Sequence, residues 1–326
     1  MTITNEPITA KAHTNIALVK YWGKADEQLI LPTNDSISMT LDHFYSTTSV
    51  QFDPVLSTDE IILDGIKLPA DGQQRIRQFM DLVRQLAGIT TFAHIETSNH
   101  VPTTAGLASS ASGFAALAGA AAKAAGLNLN RRELSRLARR GSGSATRSIY
   151  GGFVQWHAGH DDETSFAEPL EEKVDWPIRM IAIVVSRDEK KVGSRHGMKQ
   201  SQTSPFFKDW VKQSNADIEP MKTALLKKDI NRVGAIAEHN AMCMHATTLS
   251  AMPPFTYFNG DTIEAMQLIT DLRNNGLNCY YTMDAGPNVK VICLENEVEP
   301  ILDHLRPVFG DAHLVVAKPG SGLTYL

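Results

Sequence analysis

Three short stretches hold residue types that can do chemistry. Gly106-Leu107-Ala108-Ser109-Ser110 leads into an alanine-rich segment, Ala111–Ala125, that reads as a helix closed by Gly126. A helix start leaves backbone N–H donors without partners and carries roughly half a positive charge, so it holds anions. Gly106 allows close backbone approach, and Ser109 and Ser110 offer hydroxyls to a phosphate oxygen or to Mg2+. The spacing is not that of a Walker A loop, because no Gly-Lys-Ser/Thr follows. Taken alone, the segment is equally an alanine helix with Ser110 as its N-cap. Ser98 and Asn99 precede it and are expected to line the same pocket.

Asp284 stands just before Ala285-Gly286-Pro287-Asn288, a turn that presents its carboxylate at a strand end. An acid so placed is either a proton acceptor or an ordinary turn-capping group. Arg147 follows Gly141-Ser142-Gly143-Ser144. Its planar guanidinium can grip a carboxylate with two parallel hydrogen bonds, which lysine cannot do. With Arg136, Arg139 and Arg140 close by, it is also readable as part of a solvated basic surface. The Gly-Ser-Gly-Ser run offers hydroxyl and N–H donors. Elsewhere it would be a flexible linker, but here it lies between a helix and Gly151-Gly152.

These groups must be positioned by a mixed set of elements. Ile37–Leu41 and Ser49–Phe52 read as strands, Asp64-Gly65 as a hairpin turn, and Gln74–Ala87 and Leu134–Arg140 as helices. Arg179–Val185 is a short β-branched run suited to a buried central strand. The polar, basic stretch Ser186–Phe207 marks a change of composition and the expected domain boundary. Helical patterns follow at Ile218–Lys227, Ile230–Met244, Thr262–Asn274 and Val298–Leu305, with strands at Asn278–Met283, Val289–Leu294 and His313–Val316.

Two domains suit a chain of 326 residues. A formal net charge of −5 excludes a domain-wide basic surface for nucleic acid, yet leaves room for a phosphorylated small molecule. No window approaches the ~20 apolar residues of a membrane span, and the N-terminus lacks the features of a signal peptide. Cys243, Cys279 and Cys293 are few, widely spaced and without metal-ligand spacing, as expected of idle thiols in a reducing cytoplasm. His245 lacks a partner at metal-ligand spacing and reads as structural, and Trp22 as core packing.

Pro102–Ala111 (PTTAGLASSA) resembles the phosphate-binding motif of the GHMP kinase superfamily. Asn15–Lys24 (NIALVKYWGK), Gly141–Arg147 (GSGSATR), Met244–Leu249 with Pro253-Pro254-Phe255, and Asp284–Asn288 look like the corresponding blocks of the mevalonate diphosphate decarboxylases. The resemblance spans nearly the whole chain, with the blocks in the expected order. It implies an α+β GHMP kinase fold of two domains. Residues 1–186 would form a ribosomal-S5-like β/α domain with the ATP phosphate loop, and 187–326 a ferredoxin-like α/β sandwich carrying the catalytic aspartate.

The resemblance also implies ATP with Mg2+, a substrate bearing a carboxylate, a tertiary hydroxyl and a diphosphate, and a homodimer. Asp284 would take or orient the hydroxyl proton, paired with Lys20, and Arg147 would grip the carboxylate. Tyr21, Lys24, Ser142, Gly143, Ser144, Ser194 and Arg195 would reach the diphosphate. Gly106, Leu107, Ala108, Ser109 and Ser110 would hold the nucleotide phosphates, with Ser110 as the metal ligand and Lys190 and Lys191 as possible assistants. One departure falls at Val192-Gly193-Ser194-Arg195, where relatives more often have two serines; Gly193 is expected to loosen that loop. Two other readings compete: a kinase of the same superfamily that stops after phosphorylation, and a ligand sensor built on an inactive kinase fold. Retention of Lys20, Arg147 and Asp284 together argues against the first, and an intact phosphate segment and base against the second.

Overall fold

The computed structural model describes residues 3–4, 6–100, 109–186 and 191–326, apart from the side chains of residues 70, 71 and 109. The chain begins with β1 (Ile8–Val19), β2 (Lys24–Asp26), β3 (Leu31–Pro32), β4 (Ser36–Asp53), β5 (Glu60–Leu63) and β6 (Ile66–Lys67). Next come α1 (Ala70–Ala87), β7 (Phe92–His100), α2 (Ser109–Ala124) and α3 (Arg131–Gly141). A 3-10 turn, Gly143–Ile149, leads into β8 (Phe153–Trp156), β9 (Ala167–Glu171) and β10 (Ile178–Ile183). Five helices follow: α4 (Ser194–Ser201), α5 (Phe207–Ala216), α6 (Ile218–Leu226), α7 (Ile230–Leu249) and α8 (Gly260–Asn274). The chain ends with β11 (Tyr280–Met283), β12 (Val289–Leu294), α9 (Val298–Phe309), β13 (Leu314–Ala317) and β14 (Thr324–Tyr325).

Two sheets organise the molecule. In the larger, the order is β14-β1-β4-β7-β5-β6, with β8 pairing the start of β4 and β9 pairing β8. The pieces expected at Ile37–Leu41 and Ser49–Phe52 are one 18-residue strand, β4. Its second half alternates buried and half-buried residues, but Ser46 and Thr48 fill buried positions, so the apolar pattern breaks there. The Asp64-Gly65 turn is present between β5 and β6, both residues having positive φ as a type I′ turn requires. The helix α2 lies against β1 and β4, and its small alanine side chains allow that close approach.

The smaller sheet is antiparallel, in the order β11-β12-β10-β13. Strand β10 precedes the expected boundary at 186/187 yet pairs with β12 and β13, while β14 returns from the far end of the chain to β1. The composition change at Ser186 therefore follows the change of sheet rather than marking it. One apolar core takes Ile16, Leu18, Ile37 and Met39 from the first sheet, Ile178 and Met180 from the second, and Val233 and Ala237 from α7. The two layers thus share buried surface where β1 ends. No helix among the described residues is long and apolar enough to cross a membrane.

The helix α1 is anchored by a buried ion pair. Arg84 donates through both terminal nitrogens to Asp59, at 2.9 and 3.0 Å, and Asp59 also accepts from the Ala93 N–H. Removing Asp59 takes away the buried partner of Arg84, leaving it only the exposed Asp81, 2.6 Å from Nη2, and orphans the Ala93 N–H. Asp59→Ala is expected to lower the unfolding free energy by about 3–5 kcal/mol, read from urea denaturation.

Candidate active site

The end of β1 carries Lys20 to where the two sheets meet. Its backbone is clamped on both sides: the N–H donates to Asn240 Oδ1 on α7 at 2.8 Å, and the carbonyl accepts from Asn34 Nδ2 at 2.7 Å. Its side chain is 2% exposed. The ammonium donates to the Ala17 carbonyl and to Asp284 Oδ1, both at 2.8 Å. Asp284 occupies the tight connection between β11 and β12, and its carboxylate is partly open. A second lysine, Lys290 on β12, stands 3.7 Å from Asp284 Oδ2. Burial pushes both lysines down, and the neighbouring carboxylate opposes that shift.

Arg147, on the 3-10 turn, is also buried. Its Nε donates to Asn15 Oδ1 at 3.1 Å and Nη1 to Ser36 Oγ at 2.6 Å. Burial lowers it to about 10, and the charge of Asp284 acts in the opposite direction. Asn15 in turn donates to the Ser144 carbonyl and the Ser148 hydroxyl, so β1 fixes the turn that bears the arginine. Lys20, Asp284 and Arg147, expected to act together, are brought together.

Beside them lies a cationic corner. Arg75 of α1 donates twice to the Gly141 carbonyl, at 3.0 and 2.7 Å, and Arg195 reaches the same oxygen at 3.4 Å. Burial lowers Arg75 to about 10, and repulsion from Arg195 adds to the shift. The Tyr21 hydroxyl is buried without a hydrogen-bond partner, and burial raises it well above the usual phenol value. Gly143 passes so close to that ring that a Cβ would sit 2.8 Å from it. Gly23 turns the chain with φ of 104° just before Lys24, whose ammonium meets Glu27. Paired guanidiniums with an unsatisfied phenol form a site suited to a multiply charged anion.

The expected nucleotide segment is described only in part. Gly106, Leu107, Ala108 and Lys190 lie outside the described residues, as does the Ser109 side chain. Ser110 is exposed on the first turn of α2, and the Ser142 hydroxyl donates to it at 3.4 Å. Asn99 bonds to Asp64 in the β5–β6 turn, and accepts from Ser46, whose hydroxyl is 2.8 Å from that of Ser112. Ser98 lies opposite Thr47 in the β4–β7 ladder. Lys191 and Arg195 are exposed, and Gly193 is the N-cap of α4 with ordinary extended backbone, followed by Ser194. Its glycine is therefore not required by the backbone there, and a Cβ would meet no atom within 4 Å.

Trp22 is buried with Met198, Trp210 and Tyr257, as core packing predicts. His245 is buried with its ring against Tyr257 and Phe258, and burial pushes it down to about 3, holding it neutral. Asn15, Ser36, Arg75 and Lys290 received no role from sequence. A signal existed for Lys290, a lone cation in the apolar strand VKVICL. For Arg75 there was none, because a helix surface tolerates arginine anywhere.

The comparisons agree over nearly the whole chain. The family model for the diphosphomevalonate decarboxylase-like N-terminal domain matches residues 12–167. That for the mevalonate 5-diphosphate decarboxylase C-terminal domain matches residues 180–318. The chain is 36% identical to the diphosphomevalonate decarboxylase of Ganoderma lucidum, covering 93% of this chain and 82% of that one. With the human diphosphomevalonate decarboxylase the identity is 34%, over 89% and 78%. The complex described as MDDEF with MVAPP, AMPPCP and magnesium superposes with a TM-score of 0.95 at 49% identity, over 98% of both chains. The mevalonate diphosphate decarboxylase of Staphylococcus aureus gives 0.95 at 45%, again over 98% of both. The architecture is accordingly the two-domain GHMP kinase fold, and the chain belongs to the diphosphomevalonate decarboxylase family.

Proposed function

We propose that the protein decarboxylates mevalonate 5-diphosphate with ATP, releasing isopentenyl diphosphate, ADP, phosphate and CO2 in the mevalonate pathway. The observation that carries this reading is the pairing of buried Lys20 with the partly open Asp284 beside Arg147. Asp284 takes the proton of the C3 hydroxyl as that oxygen attacks the γ-phosphorus. The C3–O bond then breaks with phosphate as leaving group, and the electrons of the carboxylate C–C bond form the alkene as CO2 departs. Arg147 holds the carboxylate until that step. Tyr21, Lys24, Ser142, Gly143, Ser144, Ser194 and Arg195 hold the diphosphate, joined by Arg75 from α1.

The start of α2 holds the nucleotide phosphates through residues 106–110, with Ser98 and Asn99 beside them. Mg2+ bound with ATP would screen the phosphate charge. The exposed Ser110 hydroxyl is a hard oxygen donor of the type this ion accepts, and magnesium keeps most of its remaining shell as water and phosphate. A structural relative that binds MVAPP, AMPPCP and magnesium supports the ligand set. We assign a domain with the phosphate segment before β10 and one with Asp284 from β10 onward, β14 returning to the first. A cytoplasmic homodimer completes the reading, supported by the sparse unpaired thiols and by the family.

Incubation with ATP and mevalonate 5-diphosphate is expected to yield CO2, phosphate and ADP in equal amounts, measured by isotopic CO2 capture and phosphate assay. A stable phosphorylated acid without CO2 would instead identify a kinase, and nucleotide binding without turnover a sensor.

A further inference from the structure

Alternation along β12 puts Val289, Val291 and Cys293 on one face, in the core shared with α8 and α9. Lys290, Ile292 and Leu294 fall on the other face, where Ile292 packs with β1, β4, α6 and α7. With β11 on one side and β10 on the other, β12 is an interior strand, so position 290 is a core position. Lysine here is 1% exposed. An aliphatic side chain would fill the place without desolvating a charge, so stability alone gives no reason for an ammonium.

The reason lies in what the ammonium faces. It donates to the Asn288 carbonyl at 3.0 Å and stands 3.7 Å from Asp284 Oδ2. Lys20 holds the other oxygen, Oδ1, at 2.8 Å. One carboxylate is thus bracketed by two buried lysines, one from the end of β1 and one from β12. The closer contact is a hydrogen bond; the longer one acts by charge. The other titratable groups around the pair are His245 of α7 and Arg147 of the 3-10 turn.

We infer that Lys290 is a positioning residue: it keeps Asp284 ionised and turns Oδ2 toward the substrate hydroxyl while Lys20 holds Oδ1. The inference rests on the assignment of Asp284 as proton acceptor. Removing a nearby positive charge makes a carboxylate easier to protonate, so the acidic limb of the rate profile must move to higher pH. Proton transfer also loses its fixed geometry, which lowers kcat more than KM.

The test compares wild type with Lys290→Met, a neutral side chain of similar length, by kcat, both KM values, the pH profile of CO2 release and the melting temperature. Expected are a fall in kcat of about tenfold or more, KM values within about threefold, an acidic limb raised by about one pH unit and a melting temperature no lower than wild type. An unmoved limb overturns the inference, whatever happens to kcat. A fall in kcat that accompanies a lower melting temperature without a moved limb marks a structural lysine and overturns it too. Should Lys290→Met not fold, Lys290→Gln is read by the same criteria. Absence of CO2 release from wild type would fail the functional reading itself; release from wild type with an unmoved limb fails only the role of Lys290.

Discussion

Asp284→Ala is expected to lose about 10³–10⁴ of the wild-type kcat for CO2 release while binding ATP within about threefold of wild type. The loss follows from removing the one carboxylate that two buried lysines and an arginine surround. Without it the hydroxyl would give its proton to water, and among the described residues no neighbouring group can substitute. Lys20 and Lys290 are cations already, and His245 is sealed in the core and kept neutral. The proposed nucleotide site is on a different element, the start of α2 beside the larger sheet, so ATP affinity is expected to survive. Burial pushes the two lysines down and the carboxylate opposes that shift, so the variant also removes their shared counter-charge. Asp284→Asn preserves the shape and should be equally inactive, which separates loss of the base from loss of packing. Measurement of kcat for both variants beside equilibrium ATP binding checks the claim. Turnover near wild type in either one overturns the base assignment.

Much of this arrangement is legible in the sequence, but unevenly. Strand β12 has the bounds that its apolar run predicts, and α2 starts within two residues of the expected alanine helix. The turn Ala-Gly-Pro-Asn puts Asp284 at a strand end, but only the family resemblance chooses a proton acceptor over a turn cap there. The first half of the chain hid more. Strand β1 mixes Lys11, His13 and Asn15 with alanines: Lys11 lies over the Tyr45 ring, His13 bonds the Ser321 carbonyl, and Asn15 holds Arg147. In β4 the serines and threonines that face α2 occupy positions where a hydrophobic pattern expects aliphatic residues. The stretch after Ser186 looked like a boundary because α4 and α5 expose most of their surface and bury little beyond Met198 and Trp210.

Pairings across the chain were the least legible part. Asn15 and Arg147 are separated by 132 positions, and Lys20 and Asp284 by 264. No local pattern encodes such contacts. Only the family resemblance joined Lys20 to Asp284, and Arg75 and Lys290 stayed outside it until the fold set them beside the same site.

Arg147→Lys carries the second large effect: a fall in CO2 release of at least about 10²-fold, with charge retained. The guanidinium uses Nε for Asn15 and Nη1 for Ser36, which orients its plane. A lysine has one nitrogen at the end of a flexible stem. It cannot satisfy Asn15 and Ser36 and also meet a carboxylate with two parallel bonds. Asn15 and Ser36 would then be left with unmatched buried acceptors, and Asn15 also steadies the turn bearing Ser144 and Ser148. The substrate would lose alignment at the carboxylate and at the neighbouring diphosphate together. Phosphoryl transfer depends on the hydroxyl and is less directly affected, so ADP should form in excess of CO2. Measuring both products in the same reaction gives the decisive ratio. Full activity with equal ADP and CO2 would show that charge alone suffices at position 147, and the carboxylate grip would have to be assigned elsewhere.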